Sequence, residues 1–223
     1  MTYRSAIHRY LDPGETLGEL LGGFIMALTF TLGARLFAAA GGQFETHELV
    51  AAVVGCNIAW GVIDATLFVL NSLFYRSRHA RFFRMLKNVR SEAEALAAVQ
   101  EEFGLEDEPL AVHPEDRDRL YRSLLALSAR ATPARVGPRR QDFVSAFIVF
   151  ALVSATALPG VIPLLLLADS NLALHVSNWV LIVLLFLVGY WWGRHTDAPP
   201  WRTGLTAMLL GVFMVLVAVA LGG

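Results

Sequence analysis

Five long apolar runs, separated by short or charged stretches, dominate the sequence. They cover residues 17–40, 49–75, 143–167, 172–193 and 203–221. A helix needs about 20 mostly apolar residues to cross the hydrocarbon core of a bilayer, and each run is close to or above that length. Because five such helices leave little material for a soluble core, we predict an all-α polytopic membrane protein with five transmembrane helices.

The polar segment between the second and third runs predicts a small helical cap. Within residues 76–140, the second span should continue as a helix, a short helix should follow Ser91, and another should begin at Pro114. Ser91 and Glu94 fit a capping box, and Gly104 fits the position just past a helix end. We expect the apolar side of the last helix to consist of Leu120, Leu124 and Leu127.

The basic residues predict the topology. Arg4 and Arg9 precede the first span, most of the 18 Lys and Arg residues lie between spans two and three, and Arg194 and Arg202 lie between spans four and five. The other two loops have none. Cytoplasmic loops are enriched in Lys and Arg, so the N-terminus and the central segment should be cytoplasmic and the C-terminus outside. The predicted parts are an N-terminal arm with two spans (1–75), a cytoplasmic cap and linker (76–140), and three spans (141–223).

One carboxylate, Asp64, lies inside the second run, in GCNIAWGVIDATLFVL (55–70). A charge at mid-bilayer costs ~2.5–3.5 kcal/mol on insertion scales, so an intramembrane carboxylate is by default a functional-site hypothesis. Two structural alternatives stay open. Asp64 could pair with a donor from a neighbouring helix, for which Arg35 is the basic candidate within a span, or it could be protonated and hydrogen-bonded.

Several groups near Asp64 suit a cation site. Asn57 lies seven residues earlier on the same helix face, and Gly61 would let a second backbone approach closely. Met26 in the first span offers a thioether that suits late first-row metals, although such a residue also serves as a flexible core filler. Residues 159–163 (PGVIP) should break the third span and free backbone carbonyls, as in many transporter sites.

Glu15 and Glu19 lie where the first span begins. Their i, i+4 spacing puts both carboxylates on one helix face. They could collect cations at the cytoplasmic mouth of the span. Alternatively, they could only interact favourably with the N-terminal end of the helix dipole.

The acidic residues of the predicted cap also allow two interpretations. They could hold a divalent metal ion, or they could form a solvated surface of mixed charge. Two ligands on one helix need i, i+3 or i, i+4 spacing, which Glu115 and Asp118 offer, whereas the acids of the preceding helix do not. We favour the solvated surface.

Residues 11–31 (LDPGETLGELLGGFIMALTFT) and 55–70 resemble the divergent bacterial branch of the vacuolar iron transporter family. The resemblance extends to the order of elements along most of the chain: two spans, a helical cap and three spans. It implies a homodimeric antiporter that exchanges divalent cations, iron or manganese, for protons.

The family pattern places a Gly-x-x-Asp-Gly motif in the first span and Glu-x-x-Glu ligands in the cap. In this chain GFIMA (23–27) carries Met26 at the position of the acid, and GVIDA (61–65) supplies Asp64 in the second span instead. In the cap, Glu115 with Asp118 comes closest to the acidic pairs. The resemblance therefore points to Asp64 as the replacement for the first-span acid.

The leading hypothesis is a membrane transporter of divalent transition-metal cations that exchanges them for protons. Its predicted metal-site residues are Asp64, Met26, Asn57, Glu15 and Glu19. The alternative is a non-transporting membrane scaffold or regulatory protein with the same fold. We find no catalytic signature that would favour an enzyme.

The expected partners are the lipid bilayer, a divalent metal ion as cargo and a second copy of the chain. We expect neither a nucleic-acid partner nor a resident cofactor. The strong excess of Arg over Lys is typical of a GC-rich bacterial genome and thus indicates a bacterial inner membrane.

Overall fold

The computed structural model describes residues 11–42, 45–89, 91–104, 113–130 and 136–221. Predictions that concern Arg4, Arg9 and the linker residues 131–135 lie outside these ranges. The described chain forms the helices α1 (Pro13–Ala39), α2 (Thr46–Leu86), α3 (Glu92–Phe103), α4 (Pro114–Arg130), α5 (Arg140–Ala155), α6 (Ala157–Leu166), α7 (Ser170–Gly193) and α8 (Pro200–Ala220).

Within the described residues, five helical stretches are long and apolar enough to cross a membrane. Helices α1, α2 and α7 each form one span, α5 and α6 together form the span Arg140–Leu166, and α8 contributes Pro200–Val217. Each stretch coincides with one of the five apolar runs, within a few residues at most ends. The predicted all-α fold with five membrane-spanning helices is therefore confirmed. Helix α2 continues well past its apolar run, as the sequence predicted.

The third span is interrupted at Thr156, between α5 and α6. Pro159 lacks the N–H that would bond to the carbonyl of Ala155, and its ring disfavours an unbroken helix at that point. An interruption was predicted at residues 159–163, but it lies three residues before Pro159, and Pro163 lies inside α6. A proline cannot donate a backbone hydrogen bond to the carbonyl four residues earlier. The helix is therefore disrupted in the turn before the proline.

The chain divides into two compact units, of which the first contains Met1–Val69 and Arg139–Gly223. Its core contains apolar residues of α1, α2, α6, α7 and α8, among them Leu28, Val53 and Leu181. Helices α7 and α8 approach closely because glycines face the other helix. A Cβ added at Gly189 would lie 2.8 Å from the carbonyl oxygen of Thr203, and small residues favour such contacts in membranes.

The second unit, Leu70–Pro138, contains the end of α2 with α3 and α4 around a small apolar core. That core consists of Leu86, Ala95, Val99 and Tyr121 with partly buried neighbours. The predicted domain limits and the cytoplasmic location of this segment stay predictions.

Two local details of the second unit differ from the sequence prediction. Ser91 is the N-cap of α3, but its side chain makes no capping hydrogen bond, so the predicted capping box is wrong. The buried face of α4 carries Tyr121 and Ser128. Of the three predicted leucines, Leu124 packs against this core, whereas Leu120 and Leu127 are exposed. The aromatic ring fills the core, and this rotates the predicted face by one position.

Two other details are confirmed. Gly104 ends α3 in the left-handed conformation, with φ of 41°. This is the backbone geometry that glycine adopts at low cost. Pro114 is the first residue of α4, where the missing proline N–H would have no intrahelical partner.

Basic partners accompany several acids of the second unit. The carboxylate of Glu102 lies 2.9 Å from the guanidinium of Arg78, and its side chain is only 14% exposed. Glu92 faces Arg122, and Arg119 lies near both Glu115 and Asp116. These pairs favour the solvated surface of mixed charge over a metal store.

Replacement of Glu102 by Gln should loosen the contact between α3 and the end of α2. The partly buried pair with Arg78 is of the kind that contributes about 1 kcal/mol. We expect faster amide hydrogen exchange in α3. Glu101→Gln is the matched control because Glu101 is exposed and adjacent. Equal exchange rates in the two variants would show that the pair does not hold α3 in place.

Candidate functional site

Two acidic side chains from different spans meet in the first unit. Glu19 lies in the second turn of α1, Asp64 lies in α2, and their side chains are in hydrogen-bonding contact. Both residues are partly buried. The structure therefore brings together two of the five residues that the sequence predicted for a metal site.

Glu15 has a different local role. Asp12 caps the start of α1 by accepting a hydrogen bond from the Gly14 N–H at 2.8 Å, and the Glu15 side chain accepts one from the Asp12 N–H at 3.3 Å. This reciprocal arrangement is a capping box. Glu15 is exposed, and Glu19 still lies within its electrostatic reach. The capping geometry favours the helix-terminus interpretation for Glu15, but not for Glu19.

Asn57 joins α2 to two other helices. Its side-chain N–H groups face the Thr156 hydroxyl at 2.8 Å, the Gly23 carbonyl at 3.2 Å and the Val153 carbonyl at 3.4 Å. Asn57 is fully buried. Since a carboxamide has two N–H donors and three oxygens lie in range, at least one contact is shared. The residue lies at the interruption of the third span, where hydrogen-bond acceptors are concentrated.

The helical repeat explains how these contacts line up. Asn57, Gly61 and Asp64 lie on one face of α2, because seven residues make nearly two turns. On α1, Glu19 and Gly23 are one turn apart. The two helices run in opposite directions, so Asp64 reaches Glu19 while Asn57 reaches Gly23. Two hydrogen-bonded contacts thus fix the register of α2 against α1.

Met26 does not join the acidic pair. Its side chain packs against an apolar cluster formed by Leu11, Val149 and Val153. This is the ordinary core-filling role of a flexible thioether. The structure thus supports that alternative for Met26 over the metal-ligand hypothesis.

Thr156 and Gly23 complete the contacts of Asn57, and the sequence reasoning missed both. A Cβ added at Gly23 would lie 2.1 Å from the Thr156 hydroxyl oxygen, so α1 approaches the third span too closely for any side chain there. The available signal was a Thr just before a Pro-Gly break, together with a Gly-Gly pair in the first span.

The possible ligands are oxygen atoms. Among the residues that the structure describes, no group of three or more His, Cys, Asp or Glu side chains could hold a metal ion. Two carboxyl groups can bind a divalent cation only if water or other protein oxygens complete its coordination. Hard cations readily keep such water ligands.

Comparison with known proteins supplies the family. The model of the VIT family matches residues 71–223, more than half of the chain. The chain belongs to the VIT family. This confirms the resemblance to vacuolar iron transporters and identifies a membrane protein of a metal-ion transporter family. The match begins after Asp64, so it covers neither carboxyl group of the pair. No curated protein sequence matches the chain.

Replacement of Gly23 by Ala should disrupt the contacts around Asn57. The new methyl group would clash with Thr156, and overpacking of this kind costs ~1–3 kcal/mol. We expect a clear fall in the thermal unfolding midpoint in detergent. Gly22→Ala is the matched control because a Cβ at Gly22 meets nothing within 4 Å. That variant should be neutral or slightly stabilised, and a similar loss in both would contradict the proposed close approach.

Proposed function

We propose that this protein transports divalent transition-metal cations across a membrane in exchange for protons, with Glu19 and Asp64 as the exchange site. The observation that carries the proposal is the contact between these two carboxyl groups inside two adjacent spans. Membership of the VIT family supplies the general activity, membrane transport of metal ions.

The chemistry of the pair suits exchange. Two carboxylates at hydrogen-bonding distance repel each other strongly where the dielectric constant is low. One proton shared between them removes that repulsion, and so does a divalent cation bound by both. Proton and cation therefore compete for the same pair of oxygens. Such competition couples the entry of one ion to the departure of the other.

The position of the pair also suits access from one side. Glu19 lies six residues after the start of α1, which corresponds to about 9 Å of helix rise. The predicted topology makes that end cytoplasmic. A cation arriving there would meet the exposed carboxylate of Glu15 before it reached Glu19 and Asp64.

Further parts of the proposal follow from the resemblance and from the distribution of charge. The proposed cargo is iron or manganese, and the proposed assembly is a homodimer. We place the protein in a bacterial inner membrane, with the N-terminus cytoplasmic and the C-terminus outside. Exposed apolar side chains of α2, such as Val62 and Leu70, are available for lipid or for a second copy.

The alternative hypothesis is a membrane scaffold in which the pair only ties α1 to α2. The hydrogen bond between the carboxyl groups favours this candidate, since a shared proton alone would hold the helices together. The scaffold hypothesis predicts neither metal flux nor proton release on addition of metal.

Uptake into proteoliposomes separates the two hypotheses. We expect Fe²⁺ and Mn²⁺ uptake driven by a proton gradient, and a fall of at least about tenfold in Asp64→Asn and in Glu19→Gln, because each substitution removes a charged oxygen ligand. Glu48→Gln is the control, since Glu48 is an exposed acid near the start of α2. Full flux in folded Asp64→Asn would exclude that carboxylate, and no flux in the wild type would favour the scaffold.

Metal binding should release protons. If a cation displaces a shared proton, its affinity should fall as the pH is lowered. We expect addition of Mn²⁺ to the purified protein in weak buffer to acidify the solution, as read by a pH-sensitive dye. The wild type should release more protons than Asp64→Asn. Equal release by both proteins would place the exchanged proton elsewhere.

A further inference from the structure

Two buried oxygen atoms near the acidic pair lack hydrogen-bond partners in the described part of the chain. They are Oδ1 of Asn57 and Oγ of Ser154. Asn57 is completely buried, and its N–H groups already face three oxygens on α1 and at the end of α5. Burial of a polar atom without a partner costs free energy, so each such atom calls for a ligand or a bound water.

Ser154 departs from the pattern of the other hydroxyl groups in these spans. Thr29, Thr31 and Thr66 each donate to the carbonyl four residues earlier. That local bond is the usual way to satisfy a hydroxyl in a membrane helix. Ser154 could form the same bond to Phe150, yet its hydroxyl makes none. Its oxygen is therefore left available to another ligand.

Gly61 lies next to this hydroxyl. A Cβ added at Gly61 would lie 2.9 Å from the Ser154 oxygen and 3.0 Å from the Phe150 carbonyl oxygen. Because Gly61 has no side chain, nothing on α2 covers these two oxygens at this position. Gly61 is one turn from Asn57 and three residues from Asp64. The face of α2 that carries Asp64 therefore also carries Asn57, and at Gly61 it contacts the Ser154 hydroxyl of α5.

We propose that Asn57 and Ser154 form a second cation subsite beside Gly61, one to two turns beyond the acidic pair. Its ligands are the carboxamide oxygen of Asn57 and the hydroxyl oxygen of Ser154, with the Phe150 carbonyl nearby. These are hard oxygen donors, which suit Mn²⁺, Mg²⁺ or Ca²⁺ better than soft thiophilic metals. The site extends the proposed transport path by about 5–10 Å, from the rise of α2 between Asp64 and Asn57.

This inference rests on the proposed function, because the cation would reach the subsite along the proposed transport path. Its geometry assigns the roles within a path: the acidic pair exchanges a proton, and the neutral oxygens replace water around the ion. A neutral subsite binds without taking up or releasing a proton. When the cation moves on, the acidic pair takes up a proton in its place, and the neutral subsite adds no further change of protonation.

Replacement of the hard hydroxyl oxygen of Ser154 by a soft thiolate sulfur tests the subsite directly. Cys56 is first replaced by Ser, which removes the native thiol, and Ser154 is then replaced by Cys. A cysteine thiolate binds soft cations such as Cd²⁺. We expect Cd²⁺ to produce a thiolate-to-metal charge-transfer band in Ser154→Cys. The matched control is Ser177→Cys in the same background, since Ser177 is also in a membrane span and buried, but its hydroxyl donates to the Gly160 carbonyl at 2.7 Å.

A band in Ser154→Cys without one in Ser177→Cys would support the subsite. No band in Ser154→Cys, or equal bands in both folded variants, would overturn it. The spectrum measures binding and does not depend on transport. Absence of wild-type flux would therefore contradict the proposed function without affecting the test of the subsite.

A transport measurement gives a second test. Ser154→Ala should raise the KM for Mn²⁺ about tenfold, as loss of a group at a metal site commonly does. An unchanged KM would contradict the subsite even if transport is intact.

Discussion

The carboxamide of Asn57 fixes the part of the molecule on which the candidate site depends. Its N–H groups face oxygens of α1 and of the interrupted third span, so one side chain sets the rotation of α2 against two neighbours. Without that constraint, the face of α2 that carries Asp64 could turn towards lipid. The lipid tails give helices no hydrophobic reason to prefer one rotation, so polar contacts and close packing must decide it.

The interrupted third span supplies the other half of this arrangement. Proline removes backbone donors from the span, and the remaining carbonyls and the Thr156 hydroxyl accept hydrogen bonds from side chains of other helices. Ser177 of α7 bonds to the Gly160 carbonyl in the same way. Irregular backbone at membrane depth is tolerated where protein surrounds it. Here it serves as the attachment point for α2 and α7.

Most of the fold could be predicted from the sequence because the length of an apolar run directly limits where a membrane helix can lie. The C-terminus of α3 and the N-terminus of α4 were also predictable, since Gly104 readily adopts the left-handed backbone conformation that ends a helix and Pro114 favours the first helical position. The buried face of α4 was predicted only at Leu124, because the large ring of Tyr121 occupies the core while Leu120 and Leu127 are exposed.

The candidate site was predictable only in part. An acid in an apolar run marks Asp64 without any structure, and helix periodicity adds Asn57 to its face. The partner of Asp64 depends on the register between α1 and α2, and no local pattern encodes that register. For the same reason Glu15 and Glu19 could not be separated, although one caps a helix and the other meets Asp64. Met26 failed as a ligand because its surroundings are apolar, a property of the packed helices.

Because the spans are synthesised in order, the Glu19–Asp64 pair and the contacts of Asn57 with the third span can form at different times. Glu19 and Asp64 belong to the first two spans, so their carboxyl groups can pair while the rest of the chain is still being synthesised. A shared proton would let this hairpin enter the bilayer with less charge to bury. The oxygens that face Asn57 on the third span arrive roughly a hundred residues later. Until then the hairpin of α1 and α2 would have two polar contacts of its own, the Glu19–Asp64 pair and the hydrogen bond from Asn57 to the Gly23 carbonyl, and arrival of the third span would add the remaining oxygens around Asn57.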